Sequence, residues 1–455
     1  MRMARYVRRR CKAIPTVIKR TRPVFALLGL WALIGSATGG DVVTSPRELA
    51  AAAPESVGFS SERLALIDTY VAKRVATGHV PGVSVLLMRH GKVVLTKVYG
   101  KADVDKGTLL TTDSLFRIYS QTKPVTGVAL MILFEQGRWH LDDPVTKFIP
   151  EFKELRVFKA IGPDGSLQTE PLSRPPTMRE LVTHAAGFGY GLDESSPVES
   201  AWHKADFMRA RDTDEAIARI ASLPMFDQPG QHWHYSAAAD IQGYIVERLS
   251  GQTLADFMRT HIFGPLRMND TAFYVPPRKM RRFVGLKQVD AKLPKLVEPN
   301  SILNFDYSRP PKVASGGAGL VSTLHDYARF AQMLLNGGEL DGVRILSPAA
   351  VKLMDSNQLA DEIRAKPEDF SVRSGVGFGV DVGITLDTAK AGTLSGVGSF
   401  GWGGAAGTNF WVDPTHDVVF VSMMQVLQKW NDPDLKDFDN DMSTLVYAAL
   451  LHPEK

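Results

Sequence analysis

Hydrophobic positions recur along this chain with two different periods. Leu64, Ile67, Val71 and Val75 fall three or four residues apart, the spacing of one helix face, with Ser60 or Ser61 as the N-cap and Gly78 as the stop. The period then changes. Residues 83–88 and 93–99 are rich in β-branched and aliphatic side chains and read as two strands, with His90-Gly91 as the hairpin turn between them. A continuous apolar run over 124–134 returns to helix. From there to about residue 300 the pattern predicts mostly helices and loops. One helix opens at Thr177, where Glu180 completes a capping box, and another follows Thr213. Strand patterns come back only late, over 377–384, 409–412 and 418–424, and an amphipathic helix over about 441–451 closes the pattern. Strands at both ends with helices between predict an α+β fold. Its antiparallel sheet is formed from both chain ends and flanked by helices, with a mostly helical subdomain inserted at roughly 116–300.

Composition agrees with a globular protein: 455 residues, 44% hydrophobic and 22% charged. Charge changes the picture more. The first 23 residues hold nine basic side chains and no acidic one, followed by an apolar run over 24–34 and then Gly35-Ser36-Ala37-Thr38. This reads as a signal peptide over 1–37, with a linker over 38–57 and one domain over 58–455. The expected location is periplasmic or secreted. The apolar run is short for a membrane span, so an uncleaved N-terminal anchor is the second reading and the only route to a membrane. Without those nine charges the formal net charge of +4 becomes −5. The basic balance therefore belongs to the leader and predicts no nucleic-acid partner. The single cysteine, Cys11, lies in the same leader, which excludes disulfides, thiol catalysis and cysteine–metal sites from the rest. No His-Glu-x-x-His, phosphate-binding glycine loop or Gly-x-Ser-x-Gly occurs. No metal or cofactor is expected, and the nucleophile elbow of α/β-hydrolases is absent.

The candidate chemistry starts at Ser120-Gln121-Thr122-Lys123, where the apolar helical run begins. On a helix, residues three apart share a face, so the Ser120 hydroxyl and the Lys123 amine would meet. A serine needs a neighbouring base to act as a nucleophile, and free backbone N–H groups at a helix start suit an oxyanion. Tyr235 precedes a second helical stretch and could take and return the serine proton beside an ammonium. Gly401-Trp402-Gly403-Gly404-Ala405 leads into a strand; glycines there mark a turn or allow close backbone approach to a substrate. In the second case the Ala405 N–H could face Ser120 and complete an oxyanion hole. His184 reads as a structural histidine at a helix end. His232 and His234 flank the tyrosine and could shape the pocket, with no partner evident for either.

Taken together in this order, these elements resemble the serine β-lactamase/penicillin-binding-protein superfamily, its class C-like branch, and within it the family VIII carboxylesterases. The likeness runs from about Gly58 onward. It is supported by 135–145 after the serine helix, Leu181-Val182-Thr183-His184-Ala185-Ala186-Gly187, Tyr235-Ser236 with Asp240, Gly243 and Glu247, and Ser315-Gly316-Gly317-Ala318-Gly319-Leu320-Val321-Ser322-Thr323. The resemblance implies a β-lactamase/transpeptidase-like fold. It also implies Ser120 as the acylated nucleophile and Lys123 with Tyr235 as general base and acid. The Ser120 and Ala405 N–H groups would form the oxyanion hole, and Trp402, Gly403 and Gly404 a substrate-binding edge. Two departures bear on substrate. Trp402 stands where β-lactamases and DD-peptidases usually carry a lysine or histidine, the cation that would pair with a substrate carboxylate. Ala237 stands where many have the asparagine that would bond a substrate amide. Both departures favour small to medium uncharged acyl esters as substrate. The alternatives are an amide hydrolase (β-lactamase, DD-carboxypeptidase or D-aminopeptidase), an acyltransferase, or a non-catalytic binding protein on the same fold.

Overall fold

Strand β1 (Gly82–Arg89) is buried along its whole length because both its faces are covered. Val83, Val85 and Leu87 enter one hydrophobic cluster and Leu86 and Met88 another, the alternation that a pleated strand imposes. The computed structural model in which this is seen describes residues 49–454 apart from 193, 195, 291, 294, 301, 302, 361, 362 and 366–373. β2 (Lys92–Asp103) pairs with β1 through His90-Gly91, both at positive φ (52° and 68°), as a tight hairpin requires. β3 (Thr108–Leu109) adds the edge. The other five strands come late: β4 (Val376–Phe378), β5 (Gly383–Thr385), β6 (Phe400–Gly403), β7 (Asn409–Asp413) and β8 (Val418–Met423). The order is β4-β5-β6-β7-β8-β1-β2-β3, antiparallel throughout. The pairing of Ser84–Arg89 with Val418–Met423 joins the two ends of the chain into one sheet, as the patterning predicts.

Helices cover both faces. Ser60 accepts the Arg63 N–H and caps α1 (Ser61–Ala76), whose Leu64, Ile67 and Val71 are buried. α2 (Thr122–Glu135) is buried at every residue from Thr122 to Met131, as an all-round apolar helix must be. α3 (Ala238–Ser250) packs against it. α4 (Leu324–Leu335) lies on one face of the sheet, with Tyr327 edge-on to Phe410 at 5.0 Å. On the other face α1 meets α5 (Phe438–Ala449) over Val83, Val85, Leu87 and Phe420.

Some expectations shift. The single strand expected over 377–384 is two strands turned on Asp381 at φ +59°. The stretch over 116–300 is not purely helical, since Arg156–Ile161 and Leu167–Pro171 pair as a hairpin. Part of the expected linker is docked: Ala51 bridges Val93, and the 3-10 turn Pro54–Val57 buries Val57. The signal peptide over 1–37, and the linker as far as 48, lie outside the described residues. Among the described residues no helix is long and apolar enough to cross a membrane.

Candidate active site

Ser120 does not stand on the α-helix itself. It occupies a 3-10 turn, Tyr119–Gln121, from which α2 starts at Thr122. The tighter turn keeps residues three apart in line, and Lys123 Nζ reaches Ser120 Oγ at 3.5 Å. Tyr119 enters that turn at φ +43°, a left-handed conformation that is costly for a bulky side chain. His184 and Asp381, both close to Lys123, also have positive φ (59° each). The surroundings hold this strain in place. Ile118 N–H donates to Leu320 O, Leu320 N–H to Thr122 Oγ1, and Tyr327 Oη to Gln121 O. The segment 315–322 thus clasps the turn.

Lys123 is fully buried beneath the half-buried Ser120. Its Nζ donates to Gly317 O and lies at hydrogen-bonding distance from Tyr190 Oη, each at 2.9 Å. Only glycine fits at 317: a Cβ there would lie 2.4 Å from Asp240 Oδ2 and 2.5 Å from Tyr190 Oη. Two buried carboxyls stand nearby. Asp240 accepts from Ser315 Oγ at 2.6 Å and Gly317 N at 3.1 Å, and burial pushes its carboxyl up while the Lys123 ammonium opposes. Asp381 accepts from Gln242 Nε2 at 3.0 Å. Burial pushes its carboxyl up to about 8, against the Gln242 bond and the Lys123 charge. Tyr190 is held well above its ordinary value by burial, and further by Asp240 and Tyr235.

Tyr235 closes the site from the opposite side. Lys123 Nζ lies 4.5 Å from its ring centroid and 4.8 Å from that of Tyr190. His184 packs under Tyr235 at 5.0 Å. Its Nδ1 accepts the Ser236 N–H at 3.2 Å and lies 3.0 Å from Ser236 Oγ, so it fixes the start of the tyrosine segment. Burial, and then the Lys123 charge, hold the His184 imidazole well below its usual range and therefore neutral. The expected structural role fits this geometry, in which His184 supports Tyr235 and Ser236.

The third edge is the turn between β6 and β7. Gly404 N–H donates to Thr408 O and Gly407 N–H to Gly404 O, bonds that do not use the Ala405 N–H. Thr408 Oγ1 donates to Ile118 O at 3.2 Å, and a Cβ on Gly404 would lie 2.3 Å from the same oxygen. Backbone therefore meets backbone two residues before Ser120: the close approach here is to the chain itself, where the glycine run suggested a turn or approach to a substrate. Trp402 does more than line this edge. Its Nε1 donates toward Tyr235 Oη at 3.4 Å, and its ring leans on Tyr235 (5.7 Å) and edge-on to Phe378 (5.2 Å).

The structure brings Ser120, Lys123, Tyr235 and Trp402 together, with Gly404 against Ile118 O and Ala405 packed near Tyr119. Sequence reading missed Tyr190, the carbonyl of Gly317 and Asp381. Tyr190 had a signal in Phe188-Gly189-Tyr190-Gly191, an aromatic between glycines, and Gly317 in its glycine run. Asp381 sits in an ordinary hairpin and had none.

With this geometry in view, a family model described as Beta-lactamase matches residues 67–443. Esterase EstB of Burkholderia gladioli is 31% identical over 390 residues, 80% of this chain and 92% of that protein. A Salmonella typhi protein with the provisional name D-alanyl-D-alanine carboxypeptidase is 27% identical over 394 residues, 82% of this chain and 85% of its own. Among solved structures, EstCE1, described as a hydrolase with promiscuous acyltransferase activity, superposes with a TM-score of 0.69 at 24% identity. The match covers 85% of this chain and 99% of that one.

Proposed function

The chain belongs to the Beta-lactamase family of serine hydrolases, and on that premise we propose that it cleaves small to medium, uncharged acyl esters through an acyl-serine intermediate. Ser120 Oγ attacks the ester carbonyl while its proton passes to the Tyr235 oxygen, which acts as a phenolate beside the Lys123 ammonium. Lys123 serves as the neighbouring ammonium in this reading, held beneath Ser120 by its bond to the Gly317 carbonyl. The carbonyl oxygen becomes an oxyanion held by the Ser120 and Ala405 N–H groups. Collapse of this intermediate expels the alcohol, which takes its proton from Tyr235. Water, or an acceptor alcohol, then attacks the acyl-serine by the reverse path, returning the proton to Ser120.

The observation that carries the ester reading is Trp402. Its indole N–H is aimed at Tyr235 Oη from the position where an amide-cleaving relative would present a cation. An apolar ring there suits an uncharged acyl or alcohol group and offers no partner to a carboxylate. The name of EstB supports this reading, and the provisional name of the Salmonella protein supports the amide alternative. Initial rates on p-nitrophenyl butyrate, nitrocefin and a D-Ala-D-Ala peptide decide between them. Ester turnover should dominate; efficient peptide turnover with negligible ester turnover would sink the proposal. We also keep export as a proposal, supported by the basic leader and its apolar run. Fractionation of expressing cells tests it, and a purely cytoplasmic product would refute it.

A further inference from the structure

Just before Tyr235 in the chain lies a second cluster, which the proposed reaction does not use. His232 belongs to the two-residue strand His232–Trp233 and His234 follows it; both rings turn to one side, while Trp233 between them turns inward to the aromatic cluster around Tyr235. Both imidazoles face Asp227. His234 Nε2 contacts Asp227 Oδ2, and His232 Nδ1 lies 3.2 Å from Asp227 Oδ1. The three donor atoms all fall within 4.8 Å of one another.

We propose that Asp227, His232 and His234 form a binding site for a borderline divalent transition metal, zinc or a close analogue such as cobalt. Two imidazole nitrogens and one carboxylate oxygen are the donor set of a three-ligand zinc site, with the fourth position open to water or an external ligand. The nitrogen-rich set disfavours calcium and magnesium, which prefer oxygen cages. Ligands about 2.1 Å from a tetrahedral zinc lie roughly 3.4 Å apart, and the His232–Asp227 separation of 3.2 Å already matches that.

Three further observations support this assignment. His232 Nδ1 is buried and makes no hydrogen bond of good geometry among the described residues, so no bond ties that nitrogen in place. Phe226 stacks on the His234 ring at 4.7 Å and 15°, and the His234 N–H donates to His184 O at 2.9 Å. Ring and backbone are thus fixed before any ion arrives. The nearby cation Arg174, whose Nη2 donates to Pro229 O, is neutralised by Glu180 at 2.9 Å. A second cluster, His79 with Asp432 and Asp434, is a poorer candidate. It has one imidazole, whose two nitrogens are each engaged by a different carboxylate at 2.7 and 3.2 Å.

The test uses the full chain, stripped with chelator and dialysed against micromolar Zn²⁺ or Co²⁺. About one equivalent should be retained, with the visible absorption of a four- or five-coordinate Co²⁺. His232→Ala removes a ligand from a half-exposed position. It should weaken binding by at least about 100-fold, since loss of outer partners alone costs about 10- to 100-fold. His79→Ala should bind as wild type does. Melting curves without metal establish that each variant is folded. No retained metal, undiminished binding by His232→Ala, or loss in His79→Ala would each overturn the site.

Discussion

On the face of the sheet covered by α1 and α5, Val83, Val85, Leu87, Phe420 and Trp411 pack against Leu64, Ile67, Val71, Met442 and Val446. On the opposite side, where α2 and α3 pack together, the chain buries Lys123, His184, Asp240, Gln242 and Asp381. Polar atoms without a protein partner are sparse on the first face, Ser422 Oγ and Trp411 Nε1 being examples. Around Lys123 they crowd together: both Gln121 amide atoms, His184 Nε2, Asp240 Oδ2, Gln242 Oε1 and Asp381 Oδ2. Each such atom costs about 1–3 kcal/mol. The left-handed Tyr119, His184 and Asp381 add to that strain. A region this costly persists only because the apolar one over-determines the fold, and a site needs buried charge that a core would discard.

That contrast predicts where function and stability separate. Ser120→Ala should abolish turnover and labelling by a fluorophosphonate probe. Lys123→Ala should lower kcat by about 10²- to 10⁴-fold, the usual worth of a proton-transfer partner. Circular dichroism and melting should register both as folded. Near-wild-type turnover by Lys123→Ala would refute its assignment. Phe420→Ala, on the other face, should cost about 3–5 kcal/mol of unfolding free energy while folded molecules keep wild-type kcat. If Phe420→Ala instead lost activity without losing stability, the division between the two faces would be wrong.

Much of this was legible in the sequence because the apolar periods are strong. β1, β2, α1, β7 and β8 fall within a few residues of where the pattern puts them. The site was legible to the extent that it rests on short-range order: Ser120 and Lys123 are one turn apart, and Trp402 to Ala405 are consecutive where β6 runs into its turn. What could not be read was contact across the fold. Asp381 reaches Lys123 only because the β4–β5 hairpin folds over α2, so that a Cβ on Gly127 would lie 3.3 Å from Asp381 Oδ2. The bond from Trp402 to Tyr235 joins residues 167 apart, and no local period encodes it.

Asp381 offers a way to measure the cost of the polar side. Its carboxyl is raised to about 8 in the folded protein from an ordinary 3.8. Between those values the folded state holds a proton that the unfolded state has released. This group's contribution is therefore fully present below about pH 4 and lost as pH rises through 8, by at most about 1.4 kcal/mol per unit. Asp381→Asn keeps an acceptor for Gln242 and removes the titration. Its urea-unfolding free energy should fall less between pH 5 and 8 than that of the wild type. Equal slopes would mean that Asp381 is ionised, and that the region is less costly than argued.

The smallest effect should come from the edge that joins the two kinds of region. Trp402 lies on β6, part of the sheet, yet its N–H is aimed at the Tyr235 oxygen. Trp402→Phe keeps an aromatic ring against Tyr235 and Phe378 and deletes only that donor. At 3.4 Å the bond is long, so its loss should cost about 1 kcal/mol or less, up to roughly fivefold in kcat on p-nitrophenyl butyrate, with KM little changed. Trp402→Lys restores a cation and removes the ring. Ester turnover should fall further, and anionic β-lactams should gain relative to esters. If both variants lost ester activity equally and selectivity stayed fixed, Trp402 would act only by packing. The ester preference would then have to be sought in the loops beyond Tyr190 instead.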